Sequence, residues 1–433
     1  MKIKYEDSLK QKLLAIRTDT LVVGVDIAKN YQWARFVDFR GMEHSRALKF
    51  KNSKDGFEII LTRICQICKE ENFTEAVVGM EPTGHYWKAF ANWLGKQEGI
   101  KVVLVNPYAT KRAKELDDNS QTKSDKKDAL TIAKLVKDGR YFDLYQPHDV
   151  YAELRVLSTT RTGLNKRKSA LKNTVTAVLD EFFPEYTEVF KCPLTGKASR
   201  QILKACPFPK FILELGVEGV TAEIKKAVKK TVGRKKAEQL VEAAKDSIGV
   251  DYGKEAARLK LCLMLEELGL LEKQTEELER KMAEMLEKTD YAGCLLSIKG
   301  IGVVTLAACL GELGDPTRFD SPRQMSRMAG YNLIEDSSGK NKSGTKISKR
   351  GRKNLRGVLY QMALTMVATN EEMRQLYYYL KTREENPLKK MQALIVVSKK
   401  ILTLIHTLAK KKEKYDPEKV FGTVRREQLK AAA

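Results

Sequence analysis

Four carboxylates in the first third of the chain stand where a folded sheet could gather them. Asp26 lies near the end of the apolar, β-branched run LVVGVDI (21–27), and Glu81 ends EAVVGME (75–81). Both are therefore expected at the ends of short buried strands. Asp125 and Asp128, in SDKKDALTIAKLVKDG, are three apart on an expected helix from about 125 to 138, a spacing that points both from one face. Gathered acids repel one another unless cations neutralise them, and hard oxygen donors of this kind suit Mg²⁺ or Mn²⁺. Two such ions can polarise a phosphodiester and stabilise its attacking and leaving oxygens. Taken singly, each acid has an ordinary use as a solvated charge, and Asp125 also as a first-turn helix acid. The four in this order are expected to hold metal.

The elements that must position them alternate. YQWARFVDF (31–39) and KVVLV (101–105) are further strand candidates, the second stopped by Asn106-Pro107. Residues 56–70 read as an amphipathic helix, and residues 85–97 as another, opened after Pro82-Thr83-Gly84. Strands separated by helices imply a sheet with helices packed on it, over residues 20–145. From about 150 the chain reads as almost wholly helical. Leu154, Leu157, Leu164, Leu171, Val175, Val178 and Phe182 keep a 3-4 spacing, interrupted by Arg161 and Lys168 and ended by Pro184. Residues 190–250 read as short helices joined by turns. A cleaner seam runs through Leu261, Met264, Leu268, Leu271, Thr275, Leu278, Met282 and Met285, flanked by Glu and Lys, the pattern of a coiled coil. A hairpin folded on itself and a dimer seam both satisfy that pattern, and the dimer is the expectation. The expected organisation is a sheet domain at 20–145, a helical and coiled-coil region at 150–289, and an all-α domain at 290–420. That last domain opens with two helices joined through Lys299-Gly300-Ile301-Gly302, either a plain turn or one whose amides approach a phosphate.

Charge points to the partner. The 433 residues carry 79 Lys+Arg against 56 Asp+Glu, a net +23, and such an excess serves affinity for a polyanion better than stability. A membrane surface is the rival polyanion. No segment is expected to supply the roughly 18 apolar residues that span a bilayer. The N-terminus has no signal-peptide core, so a cytoplasmic nucleic-acid protein is expected. Two runs lack acids: residues 340–357, with Lys340, Lys342, Lys346, Lys349, Arg350, Arg352, Lys353 and Arg356, and residues 155–172, with Arg155, Arg161, Lys166, Arg167, Lys168 and Lys172. Both are expected to meet nucleic acid. Tyr86, Trp87 and Tyr377 to Tyr379 could stack on bases, although core packing is their expected use. Cys65 and Cys68 form a CxxC pair. With seven cysteines, four histidines and no second CxxC, they are expected to be reduced, packed helix residues rather than zinc ligands.

The motifs around the acids, GVDIAK (24–29), GMEPTGHYW (79–87), VNPYATK (105–111) and TKSDKKDALTIA (122–133), resemble the successive motifs of the DEDD insertion-sequence transposases related to Piv-type invertases. The resemblance implies an RNase H-like (RuvC-like) first domain with Asp26, Glu81, Asp125 and Asp128 as its metal-binding set. GIGVVTLAACLGELGDPTRFDSPRQMSRMAGYNL (300–333) and SSGKNKSGTKISKRGRKNLRGVLYQMA (337–363) resemble the C-terminal domain of the same family. There a serine just before a glycine is the nucleophile, which implies a covalent phosphoserine link to DNA. That position matches Ser338, with Ser337 an alternative one residue away. A serine hydroxyl needs activation at neutral pH, and no histidine lies nearby in sequence. The resemblance further implies a composite site built from different protomers of a dimer or tetramer, and a bridge RNA that pairs with donor and target DNA.

The expected function is thus a Mg²⁺-dependent DNA recombinase that moves its own element. Two other readings remain at this point. A Holliday-junction nuclease would use the same carboxylates to activate water and leave no covalent intermediate. A non-catalytic scaffold would use only the basic surfaces. Residues 184–255 have no assigned role.

Overall fold

The apolar runs of the first third become neighbouring strands. The computed structural model describes residues 9–118, 124–228, 233–338, 341–423 and 426–428, and divides into two units, Met1–Gln146 and Pro147–Ala433. In the first unit residues 9–14 are helical (α1). There follow β1 (Thr20–Asp26), β2 (Tyr31–Val37), β3 (Leu48–Lys51), α2 (Lys54–Glu70), β4 (Glu75–Met80), α3 (Trp87–Leu94), β5 (Ile100–Val105), α4 (Pro107–Asp118), α5 (Asp125–Lys137) and β6 (Tyr141–Asp143). The strands make one sheet in the order β3-β2-β1-β4-β5-β6. β1, β4 and β5 run parallel, and β2, β3 and β6 pair antiparallel.

Both faces of this sheet are covered, so its central strands read as continuous apolar runs rather than alternating ones. Val23, Val25, Ala34, Phe36, Val78 and Met80 face a core completed by Phe57, Ile60 and Ile64 of α2 and Phe90 of α3. Val22, Val37, Val77 and Val103 face the other, completed by Ile132, Ala133 and Val136 of α5. α2 starts cleanly because the Ser53 hydroxyl accepts from the Gly56 N–H at 3.3 Å. β3 and β6 had no counterpart among the sequence expectations.

The second unit is helical apart from one hairpin. It comprises α6 (Asp149–Phe182), α7 (Tyr186–Val189), α8 (Lys197–Ala205), α9 (Pro209–Ala227), α10 (Gly233–Lys245), α11 (Lys254–Glu287), α12 (Ala292–Leu296), α13 (Val303–Leu313), α14 (Pro322–Met328), β7 (Leu333–Ser338), β8 (Asn341–Ile347), α15 (Lys353–Thr369), α16 (Glu371–Thr382) and α17 (Lys390–Lys411). The antiparallel pair β7–β8 corrects the expectation of an all-α C-terminal domain. The residues between Asp336 and Lys346 are nearly all polar, so no apolar alternation announced a strand there.

The long seam on α11 is filled within the chain. Leu261, Leu265 and Leu268 join Val175, Val178, Leu179 and Phe182 of α6 in one core, while Met282 and Leu286 join Leu154 of α6 in a second. Arg161–Glu279 at 2.7 Å and Arg167–Glu267 at 3.3 Å tie the same two helices together. The expected dimer seam is therefore corrected to a contact between α6 and α11 of one chain. A second correction concerns α17, which by length and composition alone could cross a membrane, against the expectation that no segment could. Its apolar residues Ala393, Val397, Ile401, Leu402 and Ile405 are buried in the core of this unit.

Candidate active site

Asp26 is the last residue of β1, and Glu81 directly follows Met80, the last residue of β4. The two strands run parallel with Val25 opposite Met80, so the next step along each brings Asp26 beside Glu81. α5 begins after Ser124 and carries Asp125 and Asp128 in its first turn, where the Asp128 N–H donates to the Ser124 carbonyl at 2.9 Å. Loss of water on burial, together with the charges of Asp128, Asp125 and Glu81, pushes the Asp26 carboxyl up from 3.8 to about 7, against the pull of Lys114. The other three expected acids thus all act on Asp26. Asp128 is buried, its Oδ2 ion-paired with Lys114 of α4 and its Oδ1 without a hydrogen-bond partner among the described residues. Asp125 is exposed, and the Glu81 carboxylate accepts from the Thr83 hydroxyl at 2.5 Å.

A pair of glycines makes this convergence possible. Gly24 lies opposite Gly79 in the β1–β4 register, each two residues before an acid and so on the same sheet face as that acid. A Cβ on Gly24 would stand 2.1 Å from the Ala129 carbonyl oxygen and 2.4 Å from the Ala133 nitrogen of α5. A Cβ on Gly79 would stand 2.3 Å from a methyl of Val136. α5 therefore lies against bare backbone at this pair, which brings its first turn down to the strand ends.

The donor set is chemically suited to a divalent cation. It is all carboxylate, it holds an unpartnered buried oxygen at Asp128, and burial together with the neighbouring acids holds the Asp26 carboxyl above its ordinary range. Among the described residues, no three His, Cys, Asp or Glu side chains close around a single point. Four like charges resist closer approach while the cation paired with Asp128 is Lys114.

In the second unit, Ser338 ends β7 and pairs across the hairpin with Asn341, while Ser337 pairs with Lys342. Lys340, one of the expected nucleic-acid contacts, lies outside the described residues.

Comparison with known proteins agrees at both ends of the chain. Residues 23–184 match a family model described as a transposase of the DEDD, IS110 type, and residues 292–378 match the transposase IS116/IS110/IS902 family. Together the two matches span more than half of the chain. The chain belongs to the IS110 family of insertion-sequence transposases. It is 24% identical to the insertion element IS116 uncharacterized 44.8 kDa protein of Streptomyces clavuligerus, over 93% of this chain and 98% of that protein. It is also 24% identical to the mini-circle putative transposase for IS117 of Streptomyces coelicolor, over 79% and 84%. The pilin gene-inverting protein of Moraxella bovis is 24% identical over 91% of this chain and 97% of its own.

Within this IS110-family chain the expected basic contacts fall into two groups. Arg161 and Arg167 are engaged by glutamates of α11, and Arg352 and Asn354 hold the buried Glu312 at 3.4 and 3.2 Å. Arg356 donates to the Ala329 carbonyl at 3.0 Å. Lys166, Lys346, Lys349, Arg350 and Lys353 are exposed, and Lys168 is half-buried near Glu272. The Lys342 side chain lies outside the described residues. Sequence reasoning missed Lys114 and the Gly24–Gly79 pair. Lys114 lies in PYATKRAKELDD, a mostly polar stretch whose inward-facing Ala109 and Ala113 are too small to announce a helix. The glycines stood in plain view within GVD and GME, where their facing one another depends on the β1–β4 register.

Proposed function

We propose that this transposase cuts and rejoins donor and target DNA with Ser338 as nucleophile, assisted by Mg²⁺ or Mn²⁺ held by Asp26, Glu81, Asp125 and Asp128, and guided by a structured RNA. The observation that carries the reading is the action of Glu81, Asp125 and Asp128 on the buried Asp26 carboxyl, with one buried Asp128 oxygen left unpartnered. A mixed sheet with parallel β1 and β4 carrying the acids at their ends supports an RNase H-like (RuvC-like) first unit. The divalent ion supplies charge neutralisation at the scissile phosphate and at the oxygens that gain charge there.

The residues of the chain divide the remaining work. The Ser338 oxygen forms a bond to phosphorus as the bond to one deoxyribose oxygen breaks, and the serine proton passes to a base while the departing oxygen takes one up. Attack by a deoxyribose hydroxyl of the second duplex reverses these steps and rejoins the strands. Exposed Lys346, Lys349, Arg350 and Lys353 follow the serine in sequence and offset phosphate charge. Exchange between two duplexes calls for a homodimer or homotetramer. The RNA guide rests on the family resemblance of the motifs, and the net charge of +23 suits any polyanion.

The test is covalent capture. The protein, co-expressed with the flanking sequence of its element, is incubated with donor and target DNA and Mg²⁺, denatured, and searched for a DNA-linked peptide by mass spectrometry. An adduct on Ser338 is expected, absent in Ser338→Ala and in Asp26→Ala. Cleavage with no adduct would replace the serine reading with a water-activating nuclease.

A further inference from the structure

A second feature shares the sheet face of the carboxylates. Across β1, β2 and β3 the register places Asp26 opposite Trp33 and Trp33 opposite Lys49. Residues directly opposite in antiparallel strands share a face and lie side by side, so the Trp33 indole stands one strand away from Asp26. The next row on that face is Tyr31 opposite Lys51. The intervening residues Gln32, Ala34 and Phe50 turn the other way and are buried. Tyr31 is 44% exposed, Lys49 and Lys51 are exposed, and Trp33 is half-buried. The Lys49 ammonium lies 4.5 Å from the Tyr31 ring centroid and 5.6 Å from that of Trp33. From the other side Lys126, the neighbour of Asp125 on α5, lies 4.8 Å from the Trp33 ring.

Two aromatic rings flanked by three lysines, in a row that leads to a carboxylate cluster, make a surface with two functions. The rings offer flat apolar faces, and the lysines offer positive charge beside them. Duplex DNA presents phosphates outward and keeps its base faces stacked, so it could use only the lysines. An unpaired strand could use both, its bases on the rings and its phosphates on the ammonium groups. A lysine now lying over a ring would move to a phosphate as a base takes its place. We propose that Tyr31, Trp33, Lys49, Lys51 and Lys126 form a stacking platform for the unpaired DNA strand flanking the phosphodiester at the carboxylates. The proposal rests on the reading of that cluster as the place where DNA is cut. Binding is measured without divalent ion, so failure of the platform is seen separately from failure of the chemistry.

The experiment uses the full chain in chelator with dye-labelled single-stranded and duplex oligodeoxynucleotides of about 15 nucleotides. Anisotropy and tryptophan quenching are read together. Trp33→Leu is expected to weaken single-strand binding by about tenfold, with Trp33→Phe restoring most of it and duplex affinity moving by less than about twofold. The quench on single-strand binding is expected to vanish with the Trp33 indole, leaving Trp87 and Trp93 unaffected. Because Trp33→Leu could disturb the sheet, Tyr31→Leu and Lys49→Gln, both at exposed positions, are measured beside it and should each weaken single-strand binding by about threefold. Equal single-strand binding by wild type and all three variants would overturn the proposal. So would a loss shared equally by duplex, which would make the patch a general electrostatic surface. Preferential, Trp33-dependent binding of single-stranded RNA over DNA of the same sequence would overturn the assignment of DNA as occupant.

Discussion

Asp26→Asn should make the metal-free protein more stable, and the gain should depend on pH in a predictable way. In the folded chain the Asp26 carboxyl takes up its proton at about 7 rather than 3.8. A group whose folded value is raised contributes stability that is fully present below the unfolded value and lost as pH rises through the folded one. The loss therefore accumulates between about pH 4 and pH 7 and is constant above. The rise corresponds to at most ~4 kcal/mol, and because Asp26 keeps part of its surface in water, screening leaves about 1–3 kcal/mol. At roughly 3 °C per kcal/mol for a unit of this size, Asp26→Asn should melt about 3–9 °C above wild type at pH 8. At pH 4.5 only about a quarter of that gap should be present. Tryptophan fluorescence is the assay, since Trp33, Trp87 and Trp93 all lie in the unit that carries the acids. Addition of millimolar Mg²⁺ should close the gap at pH 8 by stabilising wild type more than the variant. If Asp26→Asn melts at or below wild type at pH 8 in chelator, or if the gap is the same at both pH values, burial and the neighbouring acids do not disfavour the Asp26 charge as argued.

Gly24→Ala should cost the first unit about 3 kcal/mol or more, read by the same fluorescence melt, because its new methyl would enter the backbone of α5; a neutral result would mean that α5 is not seated on this glycine. Lys114→Met should lower the melting temperature in chelator yet tighten Mg²⁺ binding by roughly threefold or more in a calorimetric titration, since the ammonium now offsets Asp128 and Asp26. Arg352→Ala should destabilise the second unit by about 2–3 kcal/mol, measured by circular dichroism in denaturant, because Glu312 is buried and loses its cation. Lys353→Ala should leave stability unchanged and reduce the salt dependence of DNA binding by about one phosphate contact.

Much of the first unit was legible because its central strands are buried on both sides. LVVGVDI, EAVVGME and KVVLV are apolar without interruption, and only a covered sheet makes that run obligatory. The acids could be located because each follows such a run or opens a helix. β3 and α4 were not legible for the opposite reason. LKFK buries only Phe50, and PYATKRAKELDD turns inward little more than the small Ala109 and Ala113, so neither announces itself by period. The seam on α11 shows a different limit. Its heptads state that a face is buried and do not name the partner, which proved to be α6 of the same chain. Arg161 looks like a break in an apolar face when read alone, and becomes an ion pair once Glu279 is opposite it. Ser338 was reached through its motif and not through physical chemistry, since a serine before a glycine is an ordinary turn.

The same geometry that gathers the acids also keeps their repulsion from relaxing. Four carboxylates held only by their own side chains could swing apart into solvent. Here three of the positions are fixed by backbone. Asp26 and Glu81 are neighbours in a parallel register, and Asp128 rides on a helix pressed against two facing glycines. The repulsion is therefore built into the sheet and cannot relax without moving α5. Lys114 offsets part of it, and the uptake of a proton by Asp26 near neutral pH offsets another part. An arrangement that retains repulsion after both compensations is the one expected to gain most from a divalent cation. On the proposed reading, the packing at Gly24 and Gly79 would then set the affinity for that cation. Substituting either glycine should weaken Mg²⁺ binding even though neither residue carries a ligand.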